Sequence, residues 1–138
     1  EILASYSKET FHLRKILDDF INESSKSMFF ITNQNNSIIS QSTSKDFNFN
    51  NINHSHKLIA QITQTFEDMS NNSKIEHLIL SGRNDLNLIL NNLNMSQFEI
   101  KNLICISESL SANKLIWMVG QIRLKIKNLF YFNIKDKS

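Results

Sequence analysis

Few residues of this chain are of a type and spacing that could do chemistry. There is one cysteine, Cys105, and there are four histidines. A catalytic thiol needs a lowered pKa and a base within hydrogen-bond reach. His77 is the base that Cys105 would have to meet, but Cys105 sits in the apolar run Leu103-Ile-Cys-Ile. In such a run a thiol acts as a small buried hydrophobe, so an inert Cys105 is expected. His54 and His56 flank Ser55 without the spacing of metal ligands, which assigns them a surface or capping role. Asp18-Asp19 and Glu67-Asp68 are neighbouring carboxylates. Acids that share a reaction face each other across a site, whereas neighbours on a helix diverge, so both pairs read as solvated faces. Arg83 lies in a predicted turn, where it is either an arginine finger toward a nucleotide or simply solvated. No Gly-x-x-x-x-Gly-Lys-Ser/Thr loop occurs, so the chain has no P-loop of its own. The expectation is no enzyme activity, no catalytic residues, no cofactor and no metal.

A second group is basic and aromatic. Lys114, Arg123, Lys125 and Lys127 share one predicted helix with Trp117, Tyr131 and Phe132. Such a helix either meets lipid or nucleic acid or turns a solvated face outward from a packed one. The formal net charge of +2 is too small to indicate nucleic acid. The expectation is therefore no nucleic-acid partner, and membrane association that is indirect if it occurs.

With 138 residues, 41% of them hydrophobic, the chain is sized for one domain over 1–138 with a single core. No apolar run approaches the ~20 residues of a membrane span. The sequence opens on Glu1 without a basic-then-apolar leader, which leaves open whether residues precede it. A lone cysteine allows no internal disulfide and fits a reducing, cytoplasmic setting. Proline is absent and there are only two glycines, so turn duty falls to the abundant Asn and Ser.

The elements that must position these residues follow from apolar periodicity. Leu3, Tyr6, Leu13, Ile16, Leu17, Phe20 and Ile21 form a helical stripe that ends at Asn22. Ser27-Met-Phe-Phe-Ile-Thr and Ser37-Ile-Ile-Ser-Gln-Ser flank an Asn-rich turn and read as a hairpin. Phe47, Phe49 and Ile52 pin an otherwise polar loop. Asn53 or Ser55 caps a second helix whose apolar face is Leu58, Ile59, Ile62, Phe66 and Met69. Three strands follow, over Lys74–Gly82, Leu86–Leu93 and Ile100–Ser107, the first two joined by a Gly82-Arg-Asn-Asp turn. A last helix starts near Ser111 or Asn113 and turns Leu115, Ile116, Val119, Ile122, Ile126, Leu129 and Phe130 inward. A polar tail over 133–138 is expected to fray. The predicted class is α/β (α+β), in the order α-β-β-α-β-β-β-α. Short connections imply an antiparallel five-stranded sheet with helices on both faces.

This order resembles the roadblock/dynein-light-chain domain family over about residues 11–130. Met28-Phe-Phe-Ile-Thr-Asn-Gln-Asn-Asn-Ser-Ile-Ile is similar to that family's opening hairpin. Ile75 to Leu90 resembles its next hairpin, and Ile104 to Ile116 the passage from last strand to last helix. Asn36 or Ser37 stands where the family has a turn glycine, and the glycine usual after Ala112-Asn113 is missing.

The resemblance implies a dimer built on the strand after the second helix and on that helix. It also implies a platform for a Ras-like small GTPase, with the domain acting as adaptor or regulator and not as catalyst. An apolar strand at a sheet edge supports the dimer independently, because pairing with a second copy removes an aggregation hazard. The candidate dimer residues are Ile75, His77, Ile79 and Leu80 on the strand, and Ile59, Ile62 and Phe66 on the helix. Some of these helix residues must face the core, and sequence does not separate them. Arg83, Arg123 and Lys127 are candidate partner contacts. The mate is either a second copy or a related roadblock chain. The rival readings are a PAS- or GAF-like sensor of a small ligand and a longin- or profilin-like trafficking domain.

Overall fold

A computed structural model describes residues 2–22, 26–47, 52–71, 74–83 and 85–136. The elements are α1 (Ile2–Ile21), β1 (Ser27–Thr32), β2 (Ile38–Thr43), α2 (Ile52–Met69), β3 (His77–Ser81), β4 (Asn87–Met95), β5 (Ile100–Ser107) and α3 (Ala112–Asp136), with a 3-10 turn at Ser96–Phe98. This is the order expected from periodicity. The strands form one five-stranded sheet in the order β2-β1-β5-β4-β3. Every pairing in it is antiparallel.

β1 and β5 lie at the middle of the sheet, and all six residues of β1 are buried. That burial explains why Met28-Phe-Phe-Ile and Leu103-Ile-Cys-Ile are continuous apolar runs, since both faces of these strands meet core. Alternate residues serve alternate faces. Phe29, Ile31, Ile89, Leu103 and Cys105 point to the side covered by α1 and α3, where they join Leu13, Leu17, Leu115, Ile122 and Ile126 in the larger core. Met28, Phe30, Leu90, Ile104 and Ile106 point to the other side and form a smaller core with Phe47 and Ile59. Phe47 pins its loop as expected, while Phe49 lies outside the described residues.

Local signals explain the boundaries. Asn33 Oδ1 accepts the backbone N–H groups of Asn35 (2.9 Å) and Ser37 (3.0 Å), which folds the first hairpin turn. Asn36 takes the left-handed conformation there (φ 61°), the service glycine gives elsewhere. The left-handed positions among the described residues fall on Asn36, Asn71, Asn94 and Asp85, together with Lys26 and Glu99. At Asn36, Asn71 and Asn94 asparagine thus does the work of glycine. Ser111 caps α3, with its Oγ accepting the Lys114 N–H at 3.2 Å. α2 begins at Ile52, so Asn53 and Ser55 stand inside the helix instead of before it. α3 continues to Asp136, through most of the stretch read as a tail.

The two sheet edges differ. β2 is polar after Ile39, reading Ser40-Gln-Ser-Thr, and its register with β1 is broken by a bulge at Ile31/Thr32. β3 reads His77-Leu-Ile-Leu-Ser, pairs with β4 in unbroken register and is mostly exposed.

Candidate functional site

The catalytic candidates are kept apart. Cys105 is fully buried in the larger core, and burial pushes its thiol pKa upward, so it stays protonated. His77 stands on the edge strand, where its Nδ1 meets the Asn91 amide nitrogen at 2.8 Å. β4 lies between their two strands. Asp18 accepts the Ser42 hydroxyl and faces Arg14 Nε at 3.9 Å, holding α1 against β2. Glu67 Oε1 accepts the Ile75 N–H at 3.2 Å, while Asp68 Oδ1 accepts Gln64 Nε2 at 3.0 Å, so this pair also diverges. Among the described residues no cluster of His, Cys, Asp or Glu is suited to a metal. The side chains of His54 and His56 lie outside the described residues.

An uncovered apolar surface stands out instead. β3 hydrogen-bonds to β4 on one side only, and its other edge is open. Along it Ile79 is 47% exposed and Leu80 45%. In α2 the sequence puts five apolar residues on one face. The helix is rotated so that Ile59 and Thr63 point into the protein. Thr63 tolerates this because its hydroxyl donates back to the Ile59 (3.0 Å) and Ala60 (2.9 Å) carbonyls. Ile62, Phe66 and Met69 are left in solvent, Met69 at 80% exposure. With Gln61 and Thr65 they line a shallow, mainly apolar groove of about 410 Å³.

The structure thus separates the dimer candidates that sequence left mixed. Ile62, Phe66, Ile79, Leu80 and His77 are exposed. Ile59 belongs to the smaller core. Ile75 is buried just before β3, where its carbonyl accepts Asn92 Nδ2 at 3.2 Å, so its side chain is not offered outward. Met69 completes the exposed α2 stripe and is absent from the sequence-based set. Its spacing of three from Phe66 was a usable signal. Arg83 is exposed at the tip of the β3–β4 hairpin. Arg123 and Lys127 lie one turn apart on α3, half-buried, and partial burial together with Arg123 lowers the Lys127 pKa while Glu76 opposes that shift.

No protein-family model matches the sequence, and no curated protein resembles it closely enough in sequence to count as a relative. Solved structures do match in shape. One described as MglB with tetrameric arrangement aligns with a TM-score of 0.68 at 10% identity, covering 86% of this chain and 87% of its own. Myxococcus xanthus MglB aligns at 0.64 with 12% identity, covering 88% and 89%. A Roadblock/LC7 domain from Streptomyces avermitilis aligns at 0.61 with 5% identity, covering 84% and 95%. At such identities the likeness is one of fold. With helix order, antiparallel sheet and coverage in agreement, the chain has a roadblock-like fold.

Proposed function

We propose that this domain is a non-catalytic adaptor or regulator that self-associates through the β3 edge and the outer stripe of α2, and that the dimer is the platform for a Ras-like small GTPase. The carrying observation is the pair of uncovered apolar features, an open edge with Ile79 and Leu80 and a helix stripe of Ile62, Phe66 and Met69. An open apolar edge favours strand addition, and a second copy of the same edge satisfies it with closed two-fold symmetry. The matching MglB and Roadblock/LC7 folds support the GTPase reading, and the tetrameric arrangement named for one of them fits a domain that assembles.

Sedimentation equilibrium at micromolar concentration tests self-association. A dimer is expected from the native chain and a monomer from Leu80→Lys. The tagged native domain should then recover a Ras-like GTPase from its own lysate, and Leu80→Lys should not. A native monomer, or a native dimer that recovers no such GTPase while a small ligand copurifies, would move the assignment to the sensor reading.

A further inference from the structure

The outward side of α3 carries a second apolar surface, on the opposite side of the sheet from the smaller core and α2. The inward side of α3 is buried in the larger core. A helix seated in this way ordinarily presents polar residues to water. Here Trp117 is 53% exposed, Leu124 56% and Phe132 59%. Ile116, expected to face the core, is 43% exposed as well. Trp117, Leu124 and Tyr131 recur at heptad spacing, so they form one line along ~20 Å of the helix.

Cations border this line on both sides. Lys114 Nζ lies 4.7 Å from the Trp117 ring centroid. Lys125 leans toward α1, with Nζ 5.8 Å from the Phe20 ring. Arg123 and Lys127 form the other flank, where Glu76 is the acid that Lys127 senses. Within α3 no Asp or Glu precedes Asp136.

We infer that this face of α3 docks on an anionic lipid surface. The ridge of Trp117, Leu124 and Tyr131 enters the headgroup layer. The flanking Lys and Arg extend their apolar stems along it and place their charges among the lipid phosphates. The arrangement favours lipid over nucleic acid, because the centre of the stripe is apolar and the cations lie at its borders. A nucleic-acid groove would run cations along its centre. No described helix is long and apolar enough to cross a membrane, so the contact lies on the surface. The inference goes beyond self-association and does not depend on it. Antiparallel pairing of two β3 edges would nonetheless keep matching sheet faces on the same side, so a dimer would present two stripes together and bind with avidity.

Trp117 is the only tryptophan in the chain, so its emission reports on this stripe alone. The full chain is mixed with phosphatidylcholine vesicles containing about one-third phosphatidylglycerol, and with vesicles of phosphatidylcholine alone. A blue shift of Trp117 emission and co-sedimentation are expected with the anionic vesicles only, and both should weaken as salt is raised. Arg123→Gln combined with Lys125→Gln should lower the partition coefficient about 30-fold. Leu124→Asn should lower it about tenfold. Both variants alter exposed or half-exposed positions, and circular dichroism checks that they fold. Leu80→Lys should bind anionic vesicles more weakly than the native chain but with the same lipid preference, which separates this proposal from the dimer. Unshifted emission with the protein left in the supernatant at low salt would overturn the inference. Equal binding to both vesicle types, or a Trp117 response to single-stranded RNA without one to vesicles, would overturn it too.

Discussion

On one face of the sheet, α1 and α3 close over Phe29, Ile31, Leu103 and Cys105 and leave none of these strand residues in water. On the other face, α2 contributes Ile59 and Thr63 to a smaller core and leaves Ile62, Phe66 and Met69 outside. Both layers rest on the same central strands, whose alternate residues supply each in turn. The difference lies in the covering helices. On the first face the sheet is finished within the protomer, although the outer side of α3 above it stays apolar. The other is apolar beyond what its own chain covers, as is expected where a second surface completes the packing. Stability and association should therefore respond to different residues.

The largest effect is expected from the finished face. Phe29→Ala, at a wholly buried site, should cost about 3–5 kcal/mol of folding stability, read from urea or thermal unfolding. A loss as small as that of a surface change would mean that this face is not the main core. Next, Phe66→Ala should weaken the dimer by about 2 kcal/mol while moving the stability of the unfolding protomer by no more than about 0.5 kcal/mol. Titration by sedimentation, alongside urea unfolding at dilution, separates the two quantities. A protomer that loses several kcal/mol from Phe66→Ala would erase the contrast between the faces.

A smaller effect sharpens the comparison from the finished side. Glu99 follows the 3-10 turn in the left-handed conformation (φ 59°), next to Phe98, whose ring lies 4.9 Å from that of Phe130. Glu99→Gly should relieve that conformation and raise stability by about 0.5–1 kcal/mol, with dimer affinity unchanged. The smallest effect belongs to the α2 side and depends on pH. Asp46, beside the pinning Phe47, accepts the Lys26 N–H and the Ser44 hydroxyl, each at 2.9 Å. Chiefly through the Lys26 N–H, its pKa is held below the ordinary 3.8. A carboxyl whose folded pKa is depressed stabilises the fold fully above its unfolded pKa. That contribution disappears as pH falls through the folded value. Asp46→Asn should thus be slightly less stable than the native chain near neutral pH, and the gap should close in acid. Urea midpoints measured against pH check both the sign and the window.

Much of this architecture could be read from periodicity. The buried middle strands appear as unbroken apolar runs, and the hairpin turns appear as Asn clusters. The rotation of α2 could not be read that way. Ile59, Ile62, Phe66 and Met69 look like a single stripe because hydrophobicity does not record which part of a wide apolar arc meets its own sheet. The choice of Thr63 as an inward residue rests on hydroxyl bonds to its own helix, which leave no trace in an apolar pattern. On α3 the sequence marks the basic and aromatic residues, but Ile116 and Leu124 escape notice. Ile116 blends into the core face, and Leu124 emerges only when Trp117 and Tyr131 are placed on the same line. The open β3 edge is different again. Its apolar character is local, while its position at the rim depends on β5 inserting between β1 and β4.

The contrast between the two rims of the sheet also bears on polymerisation. A protomer with two sticky rims could add copies indefinitely, in the manner of a fibre. Here the β2 rim is interrupted by its bulge and dressed with Ser40, Gln41, Ser42 and Thr43, features that discourage further strands. Under the proposed pairing, growth through β3 would stop after one addition, because the joined sheet would expose only β2 at each end. The bulge at Ile31/Thr32 would then serve as a chain terminator for the proposed assembly.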